Sequence, residues 1–313
     1  MSDFLFRGTI SDLDPDVHKL IRFESERQVR KLILIPSEST APIAVREALS
    51  SSFQNIYAEG YPDEETRWMP EDEILDYESR LNHYRRYADP RYYKGVEYAD
   101  FIESLTRRRC AELFANDRVS ADGLYANIQP LSGAPANNAV YTALLNPGDT
   151  ILGMNLLHGG HLSHGSSVNR SGKLYKVFHY NVDSETEKID YAKVAELAAE
   201  HKPKIIIAGY SSYPWVPDYA EFRRIADSVG AYLLADISHI AGMTAAGVIP
   251  SPVGYAHITT FTTHKTLCGP RGACILTSDL LLARKIDRGV FPGEQGGPHI
   301  HVMAALAITF KLA

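Results

Sequence analysis

Apolar positions in the second half of the chain come in short β-branched runs. The runs are Thr150–Met154, KIIIAGY at 204–210, AYLLADI at 231–237 and HITTFTT at 257–263. Between and before them lie stretches with the helical period, at Ala136–Leu145, Tyr191–His201 and Tyr219–Val229. Short strands separated by helices predict a mostly parallel sheet flanked by helices, an α/β fold. Ligands of such sheets sit at the carboxyl ends of the strands. That rule gathers Ser211, Asp236 and Lys265, each of which ends or follows a strand.

Upstream, EYADFIESLTRRRCAELF (97–114) has the period of an amphipathic helix with Ile102, Leu105 and Leu113 inward. Consecutive residues fan around a helix, so Arg107, Arg108 and Arg109 read as a solvated face rather than an anion site. Residues 62–91 hold nine acidic and five basic side chains in thirty positions. They read as a solvated helical hairpin or loop. Before Ser52, charged and apolar residues alternate at helical spacing, with Val29, Leu32 and Ile33 on one face and a break at Pro36.

Composition narrows the class. The chain has 313 residues, 45% hydrophobic and 22% charged, which is globular. A net charge of −6 gives no bulk attraction for nucleic acid or an anionic membrane. No apolar run approaches the ~20 residues of a membrane span, and MSDFLFRGTISD lacks a signal-peptide pattern. Three cysteines without a CxxC pair suit a reducing, cytoplasmic setting.

Lys265 follows a β-branched strand, and Asp236 ends a very apolar one. A buried carboxylate needs a cationic partner. The two could form a simple ion pair, or they could grip a pyridoxal phosphate ring, the lysine through a Schiff base and the aspartate at the pyridine nitrogen. Ser132, Gly133 and Ala134 open a helix that carries Pro135 in its first turn, and free N–H groups there would cradle a phosphate. His161, in HGGH at 158–161, can stack on a flat ring. That histidine pair has no nearby carboxylate or thiolate, so no metal is expected. His164 and His301 read as ordinary core or surface histidines.

Several longer motifs carry a resemblance. NIQPLSGAPANNAVYTALLNPGDTILGMNLLHGGHLSHGS (127–166), LLADISHIAGMTAAGVIPSPVGYAHITTFTTHKTLCGPRGA (233–273), YAEGYP (57–62) and FPGEQGGPHIH (291–301) closely resemble serine hydroxymethyltransferase. LIPSES (34–39) and RYYKG (91–95) are weaker echoes. The resemblance implies the aspartate-aminotransferase-like fold (PLP fold type I) and transfer of a hydroxymethyl group between serine and tetrahydrofolate or a modified pterin. The products would be glycine and 5,10-methylenetetrahydrofolate. It also implies a cytoplasmic homodimer with shared active sites, serving glycine–serine interconversion and one-carbon metabolism.

Residue by residue, Lys265 matches the Schiff-base lysine, Asp236 the ring-nitrogen partner and His161 the stacking histidine. Ser132, Gly133 and Ala134 match the phosphate loop, and Ser211 the serine near the ring oxygen. His239 and His264 match histidines flanking the aspartate and the lysine. Tyr57 and Glu59 match YAEGYP, whose glutamate handles hydroxyl protons and whose tyrosine reaches the other subunit's phosphate. Gly296 and Gly297 match a second phosphate contact from the neighbour. Ser37, Tyr57, Glu59 and Tyr93 would meet the substrate; Leu156, Gly160, His161 and Leu162 would meet folate. Arg271 resembles an arginine that holds the lysine loop.

Two departures stand out. A charged insertion at about 62–91 separates YAEGYP from RYYKG. The chain also stops in what reads as the first helix of a smaller domain, before the family's substrate-carboxylate arginine. The expected division is 1–52 as an N-terminal helical arm, 53–290 as the PLP-binding large domain and 291–313 as the start of a truncated small domain. Val302, Ala305, Leu306 and Phe310 would then form an exposed apolar face. Alternatives are a related PLP aldolase, a 2-methylserine hydroxymethyltransferase, or a PLP-binding but catalytically impaired fragment or subunit.

Overall fold

The computed structural model describes residues 8–313. They fall into two units, one ending at Glu38 and the other spanning Ser39–Ala313. The first holds helices α1 (Ile10–Leu13) and α2 (Pro15–Arg30). The Asp14 carboxylate accepts the N–H groups of Asp16 and Val17, and Pro15 occupies the first turn, so α2 has a well-made start. It ends at Arg30. Leu32 and Ile33 therefore lie beyond the helix and do not share a helix face with Val29, contrary to the periodicity.

The second unit contains helices α3 (Ile43–Leu49), α4 (Glu71–Ile74), α5 (Tyr77–Tyr87), α6 (Glu97–Phe114), α7 (Gly133–Leu144), α8 (Arg170–Leu174), α9 (Tyr191–His201), α10 (Tyr219–Val229), α11 (Ala241–Ala245), α12 (Leu280–Arg288) and α13 (Ile300–Leu312). Its strands are β1 (Tyr125–Asn127), β2 (Thr150–Met154), β3 (Lys176–Tyr180), β4 (Ile205–Gly209), β5 (Tyr232–Asp236), β6 (Ile258–Thr262) and β7 (Ala273–Thr277). They form one sheet in the order β1-β7-β6-β5-β4-β2-β3. The pairs β3–β2, β2–β4, β4–β5 and β5–β6 are parallel, while β7 runs antiparallel to both β6 and β1. The fold is thus α/β with a mostly parallel sheet between helices. Alternation along β4 shows the two-sided burial: Ile205 and Ile207 pack on one face of the sheet, Ile206 and Ala208 on the other.

Because β2, β4, β5 and β6 are parallel, their carboxyl ends share one edge. Asp236 ends β5, Lys265 lies three residues past β6, and His161 and Ser211 follow β2 and β4.

Three expectations are corrected. The charged stretch 62–91 is docked rather than solvated: Thr66, Ile74, Arg80 and Tyr84 are buried. Arg107–Arg109 form no solvated face. Arg107 is buried against Glu103 at 2.8 Å, Arg108 pairs with Glu112 and Asp122, and Arg109 pairs with Glu71 at 2.6 Å. Helix α13 also exposes no apolar face, since Ala305, Leu306 and Phe310 are buried where it packs on α6 and α3.

Candidate active site

The centre of the site is Asp236. Its Oδ2 lies 2.9 Å from His164 Nε2 and accepts Asn137 Nδ2 at 2.8 Å. Its Oδ1 accepts the Ser238 hydroxyl at 2.6 Å and the Ser238 N–H at 3.1 Å. Burial alone would raise this carboxyl's pKa; the bonds from His164, Ser238 and Asn137 outweigh it and hold the group well below the usual carboxylate range. The site therefore presents a buried negative charge.

Lys265 is nearly buried, and its Nζ lies 3.1 Å from His239 Nε2. Desolvation pulls its amine below the ordinary lysine range, although the charge of Asp236 pulls the other way. The two groups feel each other, yet among the described residues no hydrogen bond joins them. An amine and a carboxylate held in one field without contact suit a group placed between them.

His161 belongs to the same cluster. Its Nδ1 lies 2.7 Å from the Ser163 hydroxyl, which accepts Asn137 Nδ2 at 2.9 Å. Burial and the neighbouring His164 bring its imidazole down to about 4, so the ring is neutral near pH 7. The turn that carries it requires glycine: a Cβ on Gly160 would stand 2.3 Å from the Met154 carbonyl oxygen. The Ser211 N–H donates to the Gly159 carbonyl at 2.7 Å, tying the exit of β4 to this turn.

Ser132, Gly133 and Ala134 open α7, and no side chain caps its free N–H groups. A Cβ at Gly133 would meet Thr262 Cγ2 at 2.7 Å, so this end of α7 sits hard against the end of β6. Leu156 and His161 line a recess of about 400 Å3, and Leu156 and Leu162 are both 45% exposed. His264 faces the following loop, where its Nδ1 accepts the Gly272 N–H at 3.5 Å, and burial with nearby Arg271 brings it to about 4. The lysine loop is held by Thr263, which bonds the Pro270 carbonyl through its hydroxyl and accepts the Gly269 N–H. Arg271 is exposed and, among the described residues, donates no side-chain hydrogen bond.

A second group gathers elsewhere in the same unit. Tyr57 and Tyr93 meet edge to face at 5.8 Å. A Cβ on Gly296 would lie 3.4 Å from Glu59 Oε1, and one on Gly297 3.1 Å from the Tyr57 ring. Arg91 holds this loop from beneath, donating to the carbonyls of Ala58 and Gly60 at 2.9 and 3.1 Å. Among the described residues no hydrogen bond joins this group to Asp236 or Lys265. Tyr57 and Tyr93 are largely exposed. Ser37 belongs to the first unit.

The family model for serine hydroxymethyltransferase matches residues 10–88 and 79–313. This chain belongs to that family. Serine hydroxymethyltransferases are PLP-dependent one-carbon transferases with folate as co-substrate, so membership supports an activity of that type. The junction of the two matched segments falls inside the charged stretch, where the family motifs YAEGYP and RYYKG are separated.

Four polar residues of the site carry no readable sequence signal of their own role: Asn137, Ser163, Ser238 and Thr260. His164 is 1% exposed and bonded to Asp236, so it is a core histidine rather than a surface group, and its place in the site is what the sequence did not show. Its one signal is the spacing of three residues from His161. Thr260 donates to Asn137 Oδ1 at 2.8 Å, which turns the amide's N–H toward Asp236. One other cluster, Asp63, Glu65 and His83, brings possible metal-ligand atoms within 4.8 Å of one another. Arg80 already sits against both carboxylates, at 3.5 and 3.1 Å, and supplies the positive charge. Among the described residues no helix is long and apolar enough to cross a membrane.

Proposed function

We propose that the chain is a cytoplasmic, PLP-dependent serine hydroxymethyltransferase, moving a hydroxymethyl unit between serine and tetrahydrofolate. In this reading 53–290 forms the cofactor-binding body. The observation that carries the reading is the gap between a carboxylate kept charged and a desolvated amine.

The residues present fit PLP. Asp236 would hold the proton on the ring nitrogen, Lys265 would carry the cofactor through its amine, and neutral His161 would lie against the ring. The uncapped start of α7 at Ser132–Ala134 would take the phosphate, with Ser211 and His239 at the ring's edge. Bound there, the pyridinium supplies a sink for the electron pair released when the bond beside the amino group breaks. Asp236 can serve that role because it stays ionised, with donors from three residues fixing its two oxygens. Glu59 would take and return the serine hydroxyl proton. Leu156, Gly160, His161 and Leu162 would offer an apolar and backbone surface for the pterin, and Tyr93 would meet the substrate.

Tyr57, Glu59, Gly296 and Gly297 lie together in one exposed to half-buried group that, among the described residues, makes no hydrogen bond to Lys265. We read that group as serving the site of a second copy in a homodimer. In the first unit, Leu20, Ile21 and Phe23 of α2 are exposed as well, as expected of a segment that packs in an assembly.

Reconstitution of the protein with PLP tests the reading. Glycine should form from serine only when tetrahydrofolate is present, and Lys265→Ala should remove the visible absorbance of the lysine-bound cofactor. Persistence of that band in Lys265→Ala removes Lys265 from its role. Serine cleavage at full rate without folate would point to an aldolase instead.

A further inference from the structure

We infer that Arg67, carried by the charged insertion, is a positioning residue. Through Asp287 it sets the loop that bears Tyr57 and Glu59 and the loop that bears Gly296 and Gly297. The inference rests on the proposed function and goes beyond it by giving the insertion a task.

Asp287 lies in the last turn of α12, just before the turn Gly289–Glu294 that delivers Gln295–Gly297. Its carboxylate is nearly buried. One oxygen accepts Arg67 Nη2, and the other accepts Asn127 Nδ2 at 2.8 Å. Its carbonyl accepts the Tyr61 hydroxyl at 2.7 Å, and that hydroxyl also accepts Asn127 Nδ2 at 3.1 Å. Tyr61 follows Gly60 directly in YAEGYP. Asp287 thus knots four elements: the insertion, the Glu59 loop, the end of β1, and the helix that leads to the glycine pair.

Arg67 is the only cationic hydrogen-bond donor to that knot among the described residues; Asn127 and Tyr61 are neutral. The Arg67 guanidinium is itself almost excluded from water, so its attraction for Asp287 is weakly screened. Two further clasps fix the insertion that carries it. Arg284 of α12 grips Glu64 in a two-bonded fork, 2.8 Å on each arm, and Arg109 of α6 grips Glu71. The insertion therefore meets α12 and α6 by ion pairs, and its most buried contact with α12 falls at the root of the Gly296 loop. On the other side, Gln295 bonds the Gln129 carbonyl and its Oε1 accepts the Leu131 N–H, next to the phosphate loop at Ser132. A shift at Asp287 thus has a short path to both loops.

Without Arg67, the nearly buried Asp287 carboxylate is left with a neutral donor alone, and the knot must loosen or take up water. The two loops would move, while the Asp236–Lys265 group, held by its own bonds, would not.

The test compares Arg67→Met and Arg67→Lys with the full-length wild-type protein. Amide hydrogen exchange should speed up in Arg67→Met for peptides covering 55–61 and 293–299, and stay unchanged across 232–239 and 258–267. PLP affinity, read by absorbance titration, should fall by ~10-fold, with Arg67→Lys recovering most of both effects because one charged donor can still reach Asp287. Wild-type exchange in both loops would overturn the inference, and so would faster exchange spread evenly over the whole unit. If Arg67→Met does not fold, Arg67→Lys against wild type decides alone: graded loosening confined to the two loops supports the role, and none anywhere, or a uniform loosening, refutes it. The exchange result requires no cofactor, so a wild type that failed to bind PLP would sink the proposed function without touching this comparison.

Discussion

Asp236 shows how much of the site's chemistry lies in groups that never meet a substrate. A carboxylate so buried would ordinarily gain a proton, and three donors from separate elements keep it charged. His164 is the largest of these influences, so His164→Leu should raise the Asp236 pKa and weaken PLP binding by roughly 10-fold or more. Absorbance titration at pH 7.5 measures this; affinity within twofold of wild type would show that Asn137 and Ser238 suffice. The neutral histidines give a second expectation. His161 and His264 titrate near 4 in the folded protein and near 6.5 when unfolded. Between those values the unfolded chain takes up protons that the folded chain refuses, so these groups make stability fall as pH drops from about 6.5 toward 4. His264→Gln should lessen that fall, and an unchanged slope in thermal unfolding against pH would contradict it. Lys265 and Asp236 were legible in the sequence because charges at the ends of apolar runs demand partners. Asn137, Ser163 and Thr260 were not, because small polar residues are common in helices and strands, and only the fold brings Ser163 and Thr260 onto the Asn137 amide that bonds Asp236.

At the scale of elements, periodicity succeeds where burial is one-sided or complete. The bounds of α6, α9 and α10 match the pattern to the residue, and β4, β5 and β6 lie within their apolar runs. The pattern misses β1, β3 and β7. β1 has three residues at a sheet edge, β3 is the other edge with mixed exposure, and β7 follows a glycine–proline turn that masks its start. It also misjudges α6, whose inward face is as much ionic as apolar: Asp100, Glu103 and Arg107 are buried around Arg91. Such clusters look solvated in a sequence because each charge is counted without its partner. Burial pushes Asp100 up to about 7 despite Arg91, while Glu103, bonded to two arginines and Gln129, stays ionised. Here the sign reverses. The folded state holds a proton that the unfolded state has lost, so this group costs stability as pH rises from about 4 to 7. Asp100→Asn should therefore gain on the wild type with rising pH, its relative unfolding midpoint increasing by at least ~2 °C between pH 5 and 8. A constant offset would mean that Asp100 is charged throughout. At the start of α7, Gly133→Ala forces a Cβ against Thr262 and should displace the phosphate-facing N–H groups, weakening PLP binding by ~10-fold with little change in folding. Wild-type affinity in that variant would remove the α7 start from the phosphate role.

In the whole molecule, the proposed chemistry is divided between two groups in one chain. Asp236, Lys265, His161 and His239 form one set on the carboxyl edge of the sheet. Glu59, Tyr57, Tyr93 and the glycine pair form another, exposed to half-buried and braced by Arg91 and the insertion. If the second set serves a partner's site, the two halves of one active site belong to different chains, and damage to them must complement. Lys265→Ala alone should be inactive, and Glu59→Gln alone should bind PLP yet turn over serine roughly 10²–10⁴-fold more slowly. In a mixed dimer the Lys265 of one chain faces the intact Glu59 of the other, which rebuilds one complete site and leaves the second doubly defective. Random re-pairing of equal amounts gives half mixed dimers, so activity should return to about a quarter of the wild-type level. Recovery would also scale with subunit exchange, appearing only after the variants are dissociated together and refolded. Mixtures that stay as inactive as their components, although mixed dimers form by mass spectrometry, would place Glu59 and Lys265 in the same chain's site and end the shared-site reading.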